Sequence, residues 1–158
     1  MEKRVGRWGA NLTPYRPPVG IIVEGNGEYE ALPSIVSKFP IELTEPPKMQ
    51  KAQGNGDITA NLEENLQDMA ETYAPITILV CLDYIDAIND SVIFNECIDI
   101  LSDLQNRANH WKQSPRVNSD ITPMEISIIV VIPKFESWLI ADSFGIRKIY
   151  QGDPTLLA

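Results

Sequence analysis

Three stretches of the chain are almost continuously apolar and rich in β-branched residues: VGIIVE (19–24), ITILVCL (76–82) and EISIIVVI (125–132). Runs of this length without polar alternation suit strands buried on both faces. Each stops abruptly, the first at Glu24-Gly25, the second at Asp83 and the third at Pro133. Between them the apolar positions recur at helical spacing. Tyr29, Leu32, Ile35, Val36 and Phe39 predict a helix over 27–39, with Pro33 near enough to its start to be tolerated in a first turn. Ile58, Leu62, Leu66 and Met69 line one face of a second helix over 58–74, for which Asp57 is the expected cap. Val92, Phe94, Ile98, Leu101 and Leu104 predict a third over 91–111, and FESWLIADSF (135–144) reads as a short fourth. A short strand is expected over 41–43, then a long loop, TEPPKMQKAQGNGD (44–57), punctuated by Pro46-Pro47 and Gly54-Asn55-Gly56.

Strands alternating with helices imply right-handed crossovers. The expected fold class is therefore α/β, a Rossmann-like three-layer sandwich with a mostly parallel central sheet. Pro14, Pro17 and Pro18 keep residues 1–18 irregular, so this segment reads as an N-terminal arm and 19–158 as a single domain. The length of 158 residues is that of one domain, and 44% hydrophobic with 22% charged residues is an ordinary globular balance. No apolar run approaches the roughly 18–20 residues of a membrane helix. The N-terminus lacks the apolar core of a signal peptide, so a cytoplasmic location with no membrane partner is expected.

Charge narrows the function classes. The net charge is −9, yet residues 1–18 carry Lys3, Arg4, Arg7 and Arg16 against Glu2, a balance of +3 that leaves −12 for the rest. Indiscriminate nucleic-acid binding needs clustered Lys and Arg, so the body alone does not suit it. Cys81 and Cys97 have no CxxC spacing, and Cys81 inside ITILVCL reads as a small buried hydrophobe. His110 is the sole histidine, which excludes multi-histidine metal sites, and its place in the third helix reads as a surface position.

What remains is carboxylates. In an open parallel sheet the working crevice lies beyond the carboxyl ends of the strands. Glu24 follows the first strand, Asp83 and Asp86 follow the second, and Glu136 comes shortly after the third. Like charges gathered there are unfavourable without a cation or proton among them, and Mg²⁺ (or Mn²⁺) suits such a place. The bland reading is that acids simply favour solvated strand ends; their recurrence at three ends favours the metal. Gly25-Asn26-Gly27 invites a dinucleotide loop, but the third glycine would fall at Glu30, and Glu24 and Glu28 would repel a pyrophosphate. There is no P-loop, no GxSxG and no Cys/His pairing. Lys48 and Lys51, with the amides of 54–56, are candidate phosphate contacts, as are Lys134, Arg147 and Lys148. Scattered lysines of this kind equally serve as solubilising surface charge.

The residues Ile21-Ile22-Val23-Glu24-Gly25, followed by Glu28, Tyr29, Glu30, Leu32 and Pro33, resemble the opening of a Toprim domain. In that resemblance Glu24 matches the first-strand glutamate and Asp83 the leading aspartate of the later acidic motif. The segment Ile132-Pro133-Lys134-Phe135-Glu136-Ser137-Trp138-Leu139-Ile140-Ala141-Asp142 is similar to the Glu-x-Trp-Leu-x-x-Asp segment of the Toprim family called domain of unknown function 4276, related to the OLD nucleases. The proline-then-basic-glycine loop at 46–56 fits that family as well. One departure stands out. The usual Asp-x-Asp is here Asp83-Tyr84-Ile85-Asp86, one residue longer, so Asp83 is the firmer match.

The resemblance implies Mg²⁺-dependent phosphodiester cleavage of nucleic acid, often beside an ATPase partner in phage defence. Glu24 and Asp83 would be catalytic, with Asp86 and Glu136 as further metal ligands and Lys48 and Lys51 holding substrate phosphate. Trp138 reads as a packing residue rather than a stacking platform. Two other readings stay open: a catalytically inactive Toprim-like binding or regulatory subunit, and a phospho-acceptor receiver-like domain with Lys134 as its lysine. Self-association into a homo-oligomer also stays open.

Overall fold

The computed structural model describes residues 15–36, 43–53, 56–83, 97–115 and 117–131. Its elements run β1 (Val19–Val23), α1 (Asn26–Val36), β2 (Lys48–Lys51), α2 (Asp57–Ala60), α3 (Leu62–Tyr73), β3 (Thr77–Asp83), α4 (Cys97–Lys112) and β4 (Glu125–Val131). The four strands make one all-parallel sheet in the order β2-β1-β3-β4. The fold is the expected α/β sandwich of the Rossmann-like kind.

The absence of polar alternation in β1 and β3 has its cause in the layers. Ile22, Ile78, Val80 and Leu82 point into one core with Ile58, Leu62, Leu66 and Met69 of α2 and α3, and with Ile100, Leu104, Ala108 and Trp111 of α4. Ile21, Val23 and Cys81 point the other way, under Leu32 and Val36 of α1. Alternate residues of one strand therefore meet different helices, and both sets must be apolar. Close packing shows at Gly20 in β1, where a Cβ would lie 2.7 Å from the Met69 sulfur and 2.9 Å from Pro75 Cγ.

The handedness of the crossovers fixes where a ligand can sit. The connection from β1 runs through α1 to β2 on one side, whereas that from β3 runs through α4 to β4 on the other. With right-handed crossovers, α1 and α4 then cover opposite faces, as the two cores show. The chain thus parts between the carboxyl ends of β1 and β3, the topological switch point of the sheet.

Several local expectations are corrected. The stretch 44–57 is not a loop throughout, because Lys48–Lys51 forms β2, pairing Lys48 with Gly20 and Lys51 with Val23. Lys-Met-Gln-Lys carries no strand signal of its own; β1 supplies its hydrogen bonds, and lysines are at home on an edge strand. Leu43 lies outside any strand, and 41–42 fall outside the described residues. The helix expected over 58–74 is broken at Asn61 (φ −122, ψ 37) into α2 and α3, where the Asn61 amide side chain bonds Asp57 and competes with helical backbone. Asp57 is not the cap: Gly56 holds that position and Asp57 opens α2.

Helix α1 matches the predicted span up to Val36, and α4 from Cys97 on, one residue past the expected end at 111. Residues 37–39 and 91–96, and the segment 132–158 with its expected helix over 135–144, lie outside the described residues. His110 is exposed on α4, as expected. Among the described residues no helix is long and apolar enough to cross a membrane.

At the amino ends of the strands, Arg16 ties three segments together. Its guanidinium donates to the carbonyls of Ala74 (2.8 Å), Pro75 (2.9 Å), Ile121 (3.3 Å) and Thr122 (2.7 Å). The Ile76 and Thr77 amides donate to Pro17 and Pro18, so residues 16–18 belong to the sheet's framework although they form no regular element. The basic arm therefore surrenders one of its four cations to the fold.

Candidate functional site

Glu24 leaves the carboxyl end of β1 and Asp83 closes β3, side by side at the switch point. Both are buried, Glu24 at 5% exposure and Asp83 at 6%, which is unusual for carboxylates. Glu24 Oε2 accepts the backbone N–H of Asp83 at 3.2 Å, and Oε1 accepts the N–H of Gly56 at 3.2 Å. The glutamate thus spans from β3 to the loop that follows β2. The expected adjacency of these two strand ends is found.

Gly56 can make its bond because it adopts φ 76, ψ −8, a left-handed conformation open to glycine at little cost. The loop that carries it begins with the Ala52 amide bonded to the Val23 carbonyl (2.8 Å) and is closed by Asp57. That carboxylate accepts the Gln53 amide (3.0 Å) and the side-chain amides of Asn61 (2.7 Å) and Asn65 (3.1 Å). Burial pushes the Asp57 carboxyl up, but these bonds outweigh it and leave the group below its ordinary range.

The two candidate phosphate lysines part company. Lys51 ends β2 beside Val23, at the end of the sheet where Glu24 follows, and its ammonium donates to Asn26 Oδ1 at 2.8 Å. Lys48 is three residues earlier, about 10 Å further down the strand. Its ammonium pairs with Glu45 at 3.5 Å. The structure brings Lys51, but not Lys48, to the end of the sheet that holds Glu24. A polar groove of about 360 Å³ runs along β2 and α3, lined in part by Gln50, Lys51, Asp57, Asn65 and Tyr73. Neither Glu24 nor Asp83 lines it.

A further acid enters from α1. A Cβ on Gly25 would lie 2.5 Å from Glu28 Oε2, so the Glu28 side chain folds back over the turn that follows Glu24. Its charge also reaches the Cys81 thiol, which burial first and Glu28 second push up to about 12. Cys81 is free and buried, the small hydrophobe expected of it. The sequence marked Glu28 only as one of several acids at a helix start; Glu24 precedes that helix, so no helical spacing linked the two. The Gly56–Asp57–Asn65 network gave no comparable signal, since its members come from separate segments.

Among the described residues no group of three or more His, Cys, Asp or Glu side chains is gathered closely enough to hold a metal ion. Asp86, Glu136, Lys134, Trp138, Arg147 and Lys148 lie outside the described residues, as do Gly54 and Asn55 of the basic-glycine loop. The donor chemistry still fits magnesium. This ion takes hard oxygen ligands, often only one or two carboxylates, and completes its shell with water and substrate phosphate. Glu24 and Asp83 are carboxylates of that kind, at neighbouring strand ends. Comparison with known proteins finds no matching family model, no matching curated protein and no matching solved structure.

Proposed function

We propose that the chain is a Mg²⁺- or Mn²⁺-dependent nuclease of Toprim type, cleaving phosphodiester bonds in nucleic acid. The observation that carries this reading is the pair of buried acids at the switch point, Glu24 and Asp83, with the Glu24 carboxylate accepting the backbone N–H of Asp83. Glu24 and Asp83 would hold the ion, with Asp86 and Glu136 as further ligands. Bound there, the ion supplies Lewis-acid stabilisation of a scissile phosphate and a more acidic water. The chain's own part is positioning. Two backbone amides orient the Glu24 carboxylate, and low exposure strengthens every charge interaction in the crevice. Lys51 at the same end of the sheet offers a point charge for a neighbouring phosphate, exchanging Asn26 for it.

With a balance of −12 beyond residue 18, the body of the chain repels nucleic acid outside this site. An ATPase partner with a basic surface would supply the affinity and govern access, in the manner of a phage-defence pair. The test incubates the purified protein, alone and with an ATPase encoded beside it, with circular DNA, linear DNA and RNA in Mg²⁺ or Mn²⁺. Cleavage is expected, and Glu24→Gln and Asp83→Asn should abolish it while the circular-dichroism spectrum persists. No cutting in Mn²⁺ with the partner present, or equal cutting by Glu24→Gln, would overturn the reading.

A second reading has an observation of its own. Both Glu24 oxygens accept backbone amides, as a carboxylate kept for structure also does. A catalytically inactive Toprim-like binding or regulatory subunit would need nothing more. The two separate on metal. Mg²⁺ or Mn²⁺ should raise the melting temperature of the nuclease by preferential binding to the folded state, and Asp83→Asn should weaken that response. Identical melting curves in millimolar metal and in chelator would favour the inactive subunit.

A further inference from the structure

The network around Asp57 is more than a turn needs. Asp57 Oδ2 accepts both the Gln53 amide (3.0 Å) and Asn65 Nδ2 (3.1 Å), while Oδ1 accepts Asn61 Nδ2 (2.7 Å). Asn65, on α3, is a buried polar side chain at 7% exposure. Its Nδ2 also donates to the Asn61 carbonyl (3.0 Å), its Oδ1 lies 3.4 Å from Gln50 Nε2, and its backbone carbonyl takes the same Gln50 nitrogen at 3.1 Å. One carboxylate thereby fastens the loop to α3, and through Asn65 and Gln50 to β2. A buried amide held this fully marks an over-determined segment.

Next to Asp57 sits Gly56. Its carbonyl is held by the Ala60 amide (3.0 Å) and the Thr59 hydroxyl (2.8 Å), and its amide points at Glu24 Oε1. The left-handed conformation at Gly56 is cheap for glycine but is one of several it can adopt, so something outside the residue must select it. Gln53 and Asp57 flank the loop on either side, and the bond between them closes it.

We propose that Asp57, held by Asn65, is a positioning residue: by tying Gln53 and the start of α2 to α3 it aims the adjoining Gly56 amide at Glu24, and so sets the orientation in which Glu24 presents its carboxylate to the ion. The effect on metal rests on the reading of Glu24 as a ligand; the effect on the amide does not. Outer partners that orient a ligand commonly change metal affinity by about 10–100-fold when removed. The chemistry also predicts which substitution is tolerated. An asparagine at 57 can keep one oxygen toward Gln53 and Asn65, and the exposed Asn61 can turn its amide over to meet the new nitrogen.

The experiment follows the Gly56 amide by ¹⁵N–¹H NMR and Mn²⁺ affinity by paramagnetic titration, both at fixed pH on the full chain. In Asp57→Ala the Gly56 cross-peak should move toward its position in Glu24→Gln and exchange with solvent roughly tenfold faster or more. Mn²⁺ binding should weaken by about 10–100-fold. Asp57→Asn should restore both to near the wild-type values, which a merely stabilising role would not require. An unmoved Gly56 signal in Asp57→Ala overturns the proposal, as does a moved signal with unchanged Mn²⁺ affinity when Glu24→Gln does weaken Mn²⁺ binding. If the wild type binds Mn²⁺ no better than Glu24→Gln, the ligand reading fails, and the Gly56 amide alone then decides whether Asp57 positions Glu24. Should Asp57→Ala not fold, Asn61→Ala removes a single exposed donor and should move the Gly56 signal the same way by less; no movement there overturns the proposal equally.

Discussion

Arg16 offers a direct test of whether a basic side chain serves the fold or a nucleic acid. Arg16→Met keeps much of the aliphatic stem but removes the guanidinium that meets four carbonyls at the amino ends of the strands. Three of those bonds are between 2.7 and 2.9 Å, and that to Ile121 at 3.3 Å is weaker. A hydrogen bond from a charged donor contributes roughly 1.5–3 kcal/mol when buried. Arg16 is only partly buried, so water re-solvates the carbonyls and the sum must be discounted. A net loss of about 2–4 kcal/mol follows. Unfolding entropy for a chain of this length is about 330 cal/mol/K, so the melting temperature should fall by roughly 6–12 °C. Arg16→Lys should recover less than half, since one ammonium cannot span carbonyls that Nε and Nη2 reach separately. The assay is thermal denaturation of the three proteins, paired with nucleic-acid binding across a salt series. The slope of log K against log salt should not change, because the clasp leaves no phosphate contact to lose. A melting point within about 2 °C of the wild type, with a slope shallower by about one, would refute the clasp and assign Arg16 to phosphate binding instead.

Gly20→Ala should cost roughly 1–3 kcal/mol by overpacking, since its Cβ would meet Met69 and Pro75 inside 3 Å; Met69→Ala in the same chain should relieve part of that cost in urea titrations. The Cys81 thiol, pushed up to about 12 from 9.0, should resist iodoacetamide at pH 8.5 in the native protein and react only on unfolding. Its raised pKa means that unfolding releases a proton above pH 9, so stability should fall between about pH 9 and 12, a fall that Cys81→Ala should reduce. The Arg107 guanidinium holds the Glu63 carboxyl below its ordinary value, so their pair adds stability above about pH 4.5 that fades as pH falls through the folded value. Glu63→Gln should flatten that part of the acid limb, and an unchanged limb would count against the pair's contribution.

How much of this was legible in the chain divides by range. The three apolar runs announced β1, β3 and β4 because a strand covered on both faces has no polar side to show, and that local property survives in the order of residues. Ile58, Leu62, Leu66 and Met69 announced their face for the same reason, and all four are fully buried. The recurrence of acids after those strands was equally plain, so Glu24 and Asp83 were readable as a pair once the strands were taken to be parallel. Lys-Met-Gln-Lys was not readable as β2, because an edge strand draws its hydrogen bonds from a neighbour and its side chains need not alternate. Register then separated the lysines: counting residues made Lys48 and Lys51 look equivalent, while pairing with Gly20 and Val23 puts them at opposite ends of the strand. Asp57 read as a cap since caps are a local rule; that it instead gathers Gln53, Asn61 and Asn65 depends on α3 lying against the loop. Arg16 read as part of a basic arm for want of any local partner, its acceptors being 58 to 106 residues away along the chain. Periodicity and composition are set by each segment's own solvent exposure, and the sequence carries them. Which amide reaches Glu24, and which cation is spent on the fold, depends on segments distant in the chain meeting in space, and tertiary packing alone decided both.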